Sequence, residues 1–93
     1  MAGGDELRLI VRQADKVVNE LRFDAGPVRI GRHVASHVCL PDKAVSKQHA
    51  VMYCAEDGQW IAEDLGSVNK TYLNNKPIYK AKIKTGDVLR IAD

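Results

Sequence analysis

The chain has 93 residues, of which 45% are apolar and 28% are charged, and its formal net charge is +2. This length predicts one domain over residues 1–93, and the composition excludes a wholly disordered chain. The apolar runs fall well short of the roughly 20 residues of a membrane-spanning helix, and the start lacks the features of a secretory signal. We therefore expect an intracellular protein, in cytoplasm or nucleus, with no membrane partner.

The predicted elements are strands, because no window of a dozen residues carries uninterrupted helical spacing of apolar positions. In chain order, alternating or β-branched runs predict strands at 7–12, 17–23, 28–32, 49–54, 60–64, 71–73, 77–79 and 88–91. Turn signals separate them at 13–15, 25–27, 41–43, 57–58, 74–75 and 85–87. Short strands on this rhythm predict an all-β sandwich or barrel, whose loops are free to carry the function.

Three clusters of polar residues lie beside the ends of predicted strands. They are Gly31-Arg32-His33, Ser46-Lys47-Gln48-His49, and Gly66-Ser67-Val68-Asn69-Lys70-Thr71 followed by Asn74. A phosphate monoester near neutral pH carries about −1.5 to −2 charges and three acceptor oxygens, so it calls for guanidinium, hydroxyl, ammonium and amide donors. The clusters supply these donors at Arg32, Ser46, Lys47 and Asn69.

In order and spacing, the clusters resemble the forkhead-associated (FHA) domain family. That family has Gly-Arg at one strand end, Ser-x-x-His running into another strand, and an Asn-Gly-Thr-like stretch with a further Asn. The resemblance covers residues 28–74 closely, and residues 87–91 look like the family's later Gly-Asp strand. It implies an antiparallel β-sandwich, here of about ten strands, that binds a threonine-phosphorylated protein or peptide without catalysis, cofactor or metal.

By position in the motif, the resemblance assigns the binding roles. Arg32 would bind the phosphate through its guanidinium and Ser46 through its hydroxyl. Lys47 would add a point charge or a backbone N–H, and Asn69 would hydrogen-bond the peptide main chain. The phosphopeptide contacts are therefore expected from loops at one end of the sandwich.

Other residues would shape or support this site. Val68 is the candidate wall of a small niche for the threonine methyl group, and Lys70 stands where the family often has Gly, adding a cation beside the loop. The expected structural supports are Gly31, His49, Thr71 and Asn74. Among them, Gly31 would allow close backbone packing, and His49 would be a buried brace between two loops.

The family's usual final strand is missing, because the sequence stops shortly after the strand at 88–91. We therefore expect either a domain truncated at its C-terminus or a different pairing of the strand at 7–12. Without its usual partner that strand would present an open edge, which is a route to self-association.

The sequence gives less support to a hydrolytic triad or a metal site than to phosphopeptide binding. A hydrolytic triad of Ser46, His49 and Asp42 or Asp64 lacks a nucleophile motif, so we expect no enzyme. No Cys or carboxylate ligand set stands at metal-site spacing around the three histidines.

The cysteines and the remaining histidines are expected to be structural or simply exposed. Cys39 and Cys54 are too few and too far apart for a disulfide scaffold, so we expect small buried side chains. His33 and His37 are expected to be exposed loop residues.

A nucleic-acid platform is the main alternative function. Lys76, Lys80, Lys82 and Lys84 form a basic run near Tyr72 and Tyr79, which on a small β-barrel could bind a single strand. Alternating lysines are also a common guard on an edge strand, and the small net charge does not favour a polyanion. We therefore do not expect nucleic acid as a partner.

Overall fold

The computed structural model describes residues 7–13, 16–23 and 27–92, and over these ranges the predicted all-β sandwich is confirmed. Its strands are β1 (Leu7–Gln13), β2 (Lys16–Phe23), β3 (Val28–Gly31), β4 (Val38–Cys39), β5 (Ala50–Cys54), β6 (Trp60–Asp64), β7 (Thr71–Leu73), β8 (Lys76–Ile78), β9 (Lys80–Ile83) and β10 (Val88–Ile91). Most of the predicted turns at 13–15 and 25–27 lies outside the described residues. No helix among the described residues has the length and apolarity to cross a bilayer.

The strands form two sheets of five. The first sheet has the order β2-β1-β10-β7-β8, and the second has the order β4-β3-β5-β6-β9. Most neighbours are antiparallel, as predicted, but β1 pairs with β10 in parallel and β3 pairs with β4 in parallel. Sequence patterns missed β4 and β9, because β4 has only two residues and β9 is a lysine-rich strand with a single buried residue, Ile83.

The expectation of an open edge at residues 7–12 is wrong. β1 lies inside the first sheet, antiparallel to β2 on one side and parallel to β10 on the other. The pairing with β10 joins Ile10 to Val88, Val11 to Leu89 and Arg12 to Arg90. The physical reason is that unpaired backbone groups on two strand edges are both satisfied when those edges meet.

The core lies between the sheets and follows the alternation of each strand. In β5 the inward residues Ala50 and Met52 are fully buried, and in β10 the inward residues Leu89 and Ile91 are fully buried. Burying a Met, Leu or Ile side chain stabilises the fold by about 1.5–3 kcal/mol relative to exposure. The core thus holds the strand ends, and the loops between them, in fixed positions.

The expectation that the cysteines are buried is wrong, since Cys39 and Cys54 are both exposed free thiols. In β4 the inward position belongs to Val38, so strand alternation puts Cys39 on the outer side. Cys54 is the last residue of β5, beyond the buried Met52 and next to the turn that leads to β6.

The two ends of the sandwich differ in their turns. At one end, Asn74 and Asn75 have φ angles of 50° and 72° and close the β7–β8 hairpin. Two consecutive positive φ angles are the mark of a tight two-residue hairpin turn, which the sequence predicts from the Asn pair. At the other end, the end of β3, the start of β5, the end of β6 and the start of β7 meet, and this end carries the polar clusters.

Candidate functional site

The end of β3 lies directly beside the segment that carries Ser46. The backbone N–H of Arg32 donates to the Ser46 carbonyl at 3.0 Å, and the N–H of His33 donates to the Lys47 carbonyl at 3.3 Å. The Arg32 Nε–H also donates to the Val45 carbonyl at 2.9 Å. These bonds bring the guanidinium of Arg32 and the half-exposed Ser46 together at one end of the sandwich, with Arg32 itself exposed.

Gly31 makes this close approach possible. A Cβ atom at position 31 would lie 2.1 Å from the Lys47 carbonyl oxygen and 2.9 Å from its carbonyl carbon. Both contacts are with backbone, which cannot swing away as a flexible side chain can. The residue before Arg32 therefore has to be glycine for the two segments to keep this separation.

The loop of residues 65–70 is attached to the Ser46 segment by two hydrogen bonds. The Val68 N–H donates to the Ser46 Oγ at 3.1 Å, and the Asn69 Nδ2 donates to the Ala44 carbonyl at 2.8 Å. In accepting this bond, the Ser46 hydroxyl keeps its own proton available for a ligand, and Asn69 keeps its Oδ1 as an acceptor. Val68 itself is 82% exposed.

His49 joins the same two loops from below. Its ring is fully buried, its Nδ1 accepts the Ser46 N–H at 3.1 Å, and its Nε2 lies 2.8 Å from the Lys70 carbonyl. A carbonyl can only accept, so Nε2 carries the proton and Nδ1 is the acceptor of a neutral ring. The contacts are those of a brace between the loops.

Asp64 organises the loop of residues 65–70, and the sequence interpretation did not assign it this task. Its carboxylate accepts the N–H groups of Gly66 and Ser67, at 3.0 and 2.9 Å, and the hydroxyls of Ser67 and Thr71. Burial by itself raises the pKa of Asp64, but these hydrogen bonds outweigh it and hold the pKa below its ordinary value of 3.8. The signal was present in the sequence Asp-Leu-Gly-Ser, which is typical of an Asx turn after a strand.

Cations dominate the exposed surface at this end. Arg32, Lys47 and Lys70 are exposed, and Asp42 is the exposed acid on the Ser46 segment. Asp64 is only 8% exposed, and its oxygens are occupied within the loop. Lys70 has a φ of 69°, the left-handed region that favours glycine, so the backbone there follows the glycine-type conformation with a lysine in place. The arrangement can hold an anion.

The hypothetical triad does not form. His49 Nδ1 faces the Ser46 backbone N–H, while the Asp64 carboxylate accepts from Ser67 and Thr71. The Asp42 carboxylate accepts the Ala44 N–H at 2.8 Å.

Two other histidines make loop contacts. His33 Nδ1 accepts the Ala35 N–H and His37 Nδ1 accepts the Arg29 N–H, both at 3.0 Å, and both residues are exposed.

Among the predicted supports, Thr71 is at the site and Asn74 is not. Thr71 is buried and donates its hydroxyl to Asp64 at 2.8 Å. Asn74 lies at the far end of β7, where its Nδ2 donates to Asp87 at 3.1 Å and its Oδ1 accepts the Val88 N–H at 3.0 Å. Asn74 therefore ties the β7–β8 turn to β10, about 10 Å of strand away from the loop that it was expected to brace.

The basic run is divided between the two sheets. Lys76 lies on β8 of the first sheet, whereas Lys80 and Lys82 lie on β9 of the second. The Tyr72 ring is covered by Arg90, whose Cζ lies 4.0 Å from the ring centroid. The run thus does not form the continuous stacking platform that a nucleic-acid strand would need.

Comparison of the sequence with protein families agrees with this geometry. The sequence pattern of the FHA domain family matches residues 28–92, which include the loops of the site. The chain belongs to the FHA domain family.

Relatives of this FHA domain include a regulator and two solved complexes. The glycogen accumulation regulator GarA of Mycolicibacterium smegmatis is 32% identical over 89% of this chain and 52% of its own length. The FHA domain of FhaA, solved in complex with an intracellular domain, is 29% identical with a TM-score of 0.71, over 85% of this chain and 86% of that one. The N-terminal FHA domain of Rad53p from S. cerevisiae, solved with a phosphothreonine peptide, is 26% identical with a TM-score of 0.61, over 67% of this chain and 52% of that one. This FHA domain spans about half the length of the curated relatives that it matches.

Proposed function

We propose that this FHA domain binds phosphothreonine peptides and so mediates protein–protein interaction that depends on phosphorylation. The observation that carries the proposal is the hydrogen bond from the Arg32 backbone N–H to the Ser46 carbonyl, at 3.0 Å, which brings the residues that carry a guanidinium and a hydroxyl side by side at one end of the sandwich. Both groups can still donate hydrogen bonds to a ligand, because the loop contacts use only the Nε–H of Arg32 and only an acceptor site of the Ser46 hydroxyl. A phosphate needs such donors converging from separate segments.

The phosphate would be held by charge as well as by hydrogen bonds. Arg32 can present its two Nη groups, because the bond to Val45 uses only Nε. Lys47 and Lys70 would add positive charge on either side. An unmodified threonine has neither the anionic oxygens nor their charge, so binding would switch with the partner's phosphorylation state.

The peptide chain would lie across the loop of residues 65–70. Asn69 is held by its Nδ2 on Ala44, which leaves its Oδ1 to accept a backbone N–H of the peptide. Val68, exposed beside Ser46, would contact the threonine methyl group. Affinity should be modest, since few side chains contact a short peptide that loses conformational freedom on binding.

The biological role would be recruitment or regulation rather than catalysis. A relative carries the name of a glycogen accumulation regulator, and related domains have been solved with an intracellular domain or a phosphothreonine peptide. By the same chemistry, this domain would bring its host chain to the product of a threonine kinase.

The decisive experiment is calorimetric titration with a phosphothreonine peptide chosen from an oriented library. Each charge-assisted hydrogen bond is worth about 1.5–3 kcal/mol, so the loss of even one such bond in Arg32→Ala should weaken binding at least roughly tenfold. Arg32→Lys, which keeps the charge but not the guanidinium fork, should retain only part of the affinity. Lys76→Ala, in the other sheet, is the control that should bind like wild type. Equal binding of wild type and Arg32→Ala would refute the proposal.

Selectivity for threonine has its own test. Contact with one methyl group is worth about 0.8 kcal/mol, so wild type should prefer phosphothreonine over phosphoserine by a few-fold at least. Val68→Ala should reduce that preference while leaving phosphoserine binding nearly unchanged. If both peptides bind wild type equally, the methyl niche at Val68 does not exist.

A further inference from the structure

The outer face of the second sheet carries a pattern that the phosphate site does not use. We call it the lateral face, and its residues are Arg29, Val51, Tyr53, Ile61, Glu63, Lys80 and Lys82. Its apolar members Val51, Tyr53 and Ile61 remain partly exposed at the centre of the sheet. Apolar groups held at the middle of an open sheet face are suited to contact with another surface.

Cations border this apolar centre on both sides. In one row of cross-strand partners, Arg29 pairs with Val51, Val51 with Glu63, and Glu63 with Lys80. In the next row, Tyr53 pairs with Ile61 and Ile61 with Lys82. The cations Arg29, Lys80 and Lys82 are exposed.

The acidic groups of residues 27–92 do not balance these cations. Glu63 is the acid on the lateral face, where it accepts the Tyr53 hydroxyl at 3.1 Å and lies opposite Lys80 in the register. Glu56 and Asp57 lie in the turn between β5 and β6, at the end of the sandwich away from Arg32. The lateral face is therefore basic at its borders and largely apolar at its centre, where the carboxylate of Glu63 is bonded to Tyr53.

The lateral face is continuous with the phosphate-binding end. A groove of about 180 Å³ lies between them, and its lining includes Arg29, His33, Gln48 and Leu65. Arg29 stands three residues before Arg32 on the same segment, which corresponds to about 10 Å of extended chain. Three or four residues of an extended peptide could thus reach from the phosphate to Arg29.

We propose that the lateral face docks an acidic, partly apolar segment of the same partner whose phosphothreonine is held at Arg32. This inference rests on the proposed function. The phosphate would give dependence on modification, and the lateral face would give preference for one partner through charge complementarity. A protein segment fits better than a nucleic-acid strand, because the apolar centre contacts apolar side chains and the Tyr53 hydroxyl is already bonded to Glu63.

The test compares a core phosphothreonine peptide with the same peptide carrying an extension of four glutamates and a leucine. The extension is placed on the amino side in one peptide and on the carboxyl side in the other. One of the two should bind wild type roughly tenfold more tightly than the core peptide at low salt, and the gain should shrink as salt rises. No gain from either extension would overturn the proposal.

The matched variants are Lys82→Glu on the lateral face and Lys76→Glu on the edge strand of the first sheet. Both make the same change of charge on an exposed strand residue, so neither should alter binding of the core peptide. Lys82→Glu should remove most of the gain from the extension, and Lys76→Glu should preserve it. An equal loss in both variants would mean a general charge effect and would overturn the assignment to the lateral face.

Two further arms separate this inference from the proposed function. The unphosphorylated extended peptide should bind wild type weakly and Lys82→Glu more weakly still, and this arm reports on the lateral face even if phosphothreonine binding fails. Failure of the core peptide alone would refute the proposed function. If instead a single-stranded oligothymidine displaces the extended peptide and loses its own binding in Lys82→Glu, the lateral face is a nucleic-acid surface and the protein-segment proposal is wrong.

Discussion

Replacing His49 by alanine should both destabilise the domain and uncouple the two loops that form the site. The change removes the acceptor for the Ser46 N–H and the donor for the Lys70 carbonyl, and it empties the space of a fully buried ring. Each lost hydrogen bond is worth about 1 kcal/mol, and the cavity adds about 2 kcal/mol. The free energy of unfolding should therefore fall by about 4 kcal/mol, a large share of the roughly 5–15 kcal/mol of a small domain.

Two conservative variants separate the contacts. In His49→Asn the side-chain oxygen can take the place of Nδ1 and keep the Ser46 bond, whereas in His49→Gln the side-chain nitrogen can take the place of Nε2 and keep the Lys70 bond. Each should lose about half as much stability as His49→Ala.

The assay is urea unfolding, followed by fluorescence of Trp60, together with titration of the core phosphothreonine peptide. Without urea, where all three variants remain folded, each should bind the phosphothreonine peptide more weakly than wild type does. The reasoning is refuted if His49→Ala unfolds at the same urea concentration as wild type, or if it loses stability but binds the peptide as tightly.

Three further predictions concern the loops. Gly31→Ala places a methyl group against the Lys47 backbone, so it should lower the free energy of unfolding by about 2 kcal/mol or more and weaken phosphopeptide binding; an unchanged urea midpoint would contradict the close approach. Lys70→Gly relieves the strain of the left-handed conformation and should raise the free energy of unfolding by about 1 kcal/mol, but it should weaken peptide binding because a cation is lost. The neutral Lys70→Asn, which tolerates that conformation, should lose the same amount of peptide affinity. If Lys70→Gly is less stable than wild type, no strain is present. The pKa of Asp64 is lowered in the folded state, so its stabilisation is complete above its ordinary value of 3.8 and is lost as the pH falls through the folded pKa. The difference in unfolding free energy between wild type and Asp64→Asn should thus be largest near neutral pH and shrink below pH 3.8, and a difference that is constant over this range would refute the assignment.

Much of the fold follows from local pattern. Strands β6, β7 and β10 have the bounds that alternation predicts, and the Asn pair at 74–75 forms the tight turn expected of it. These features depend on the preferences of neighbouring residues along one segment. Strand β4 was missed because two residues carry too little alternation to be recognised.

Contacts between distant segments could not be predicted in this way. The bond from Asn69 to Ala44 joins residues that are 25 positions apart, and the parallel pairing of β1 with β10 joins the two ends of the described chain. The role of Asp64 depends on where β6 delivers its carboxylate relative to Ser67 and Thr71. Such contacts depend on how the two sheets pack, which no single segment specifies.

By itself the sequence determined the class of fold and the chemical groups available for an anion, because alternation, turn residues and donor types are local properties. Only the tertiary structure decided that Arg32 and Ser46 share one tip, that Asn74 does not belong to it, and that Arg29, Lys80 and Lys82 border one apolar face. The physical reason is that these relations arise from long-range strand pairing and core packing, in which residues far apart in the chain become neighbours.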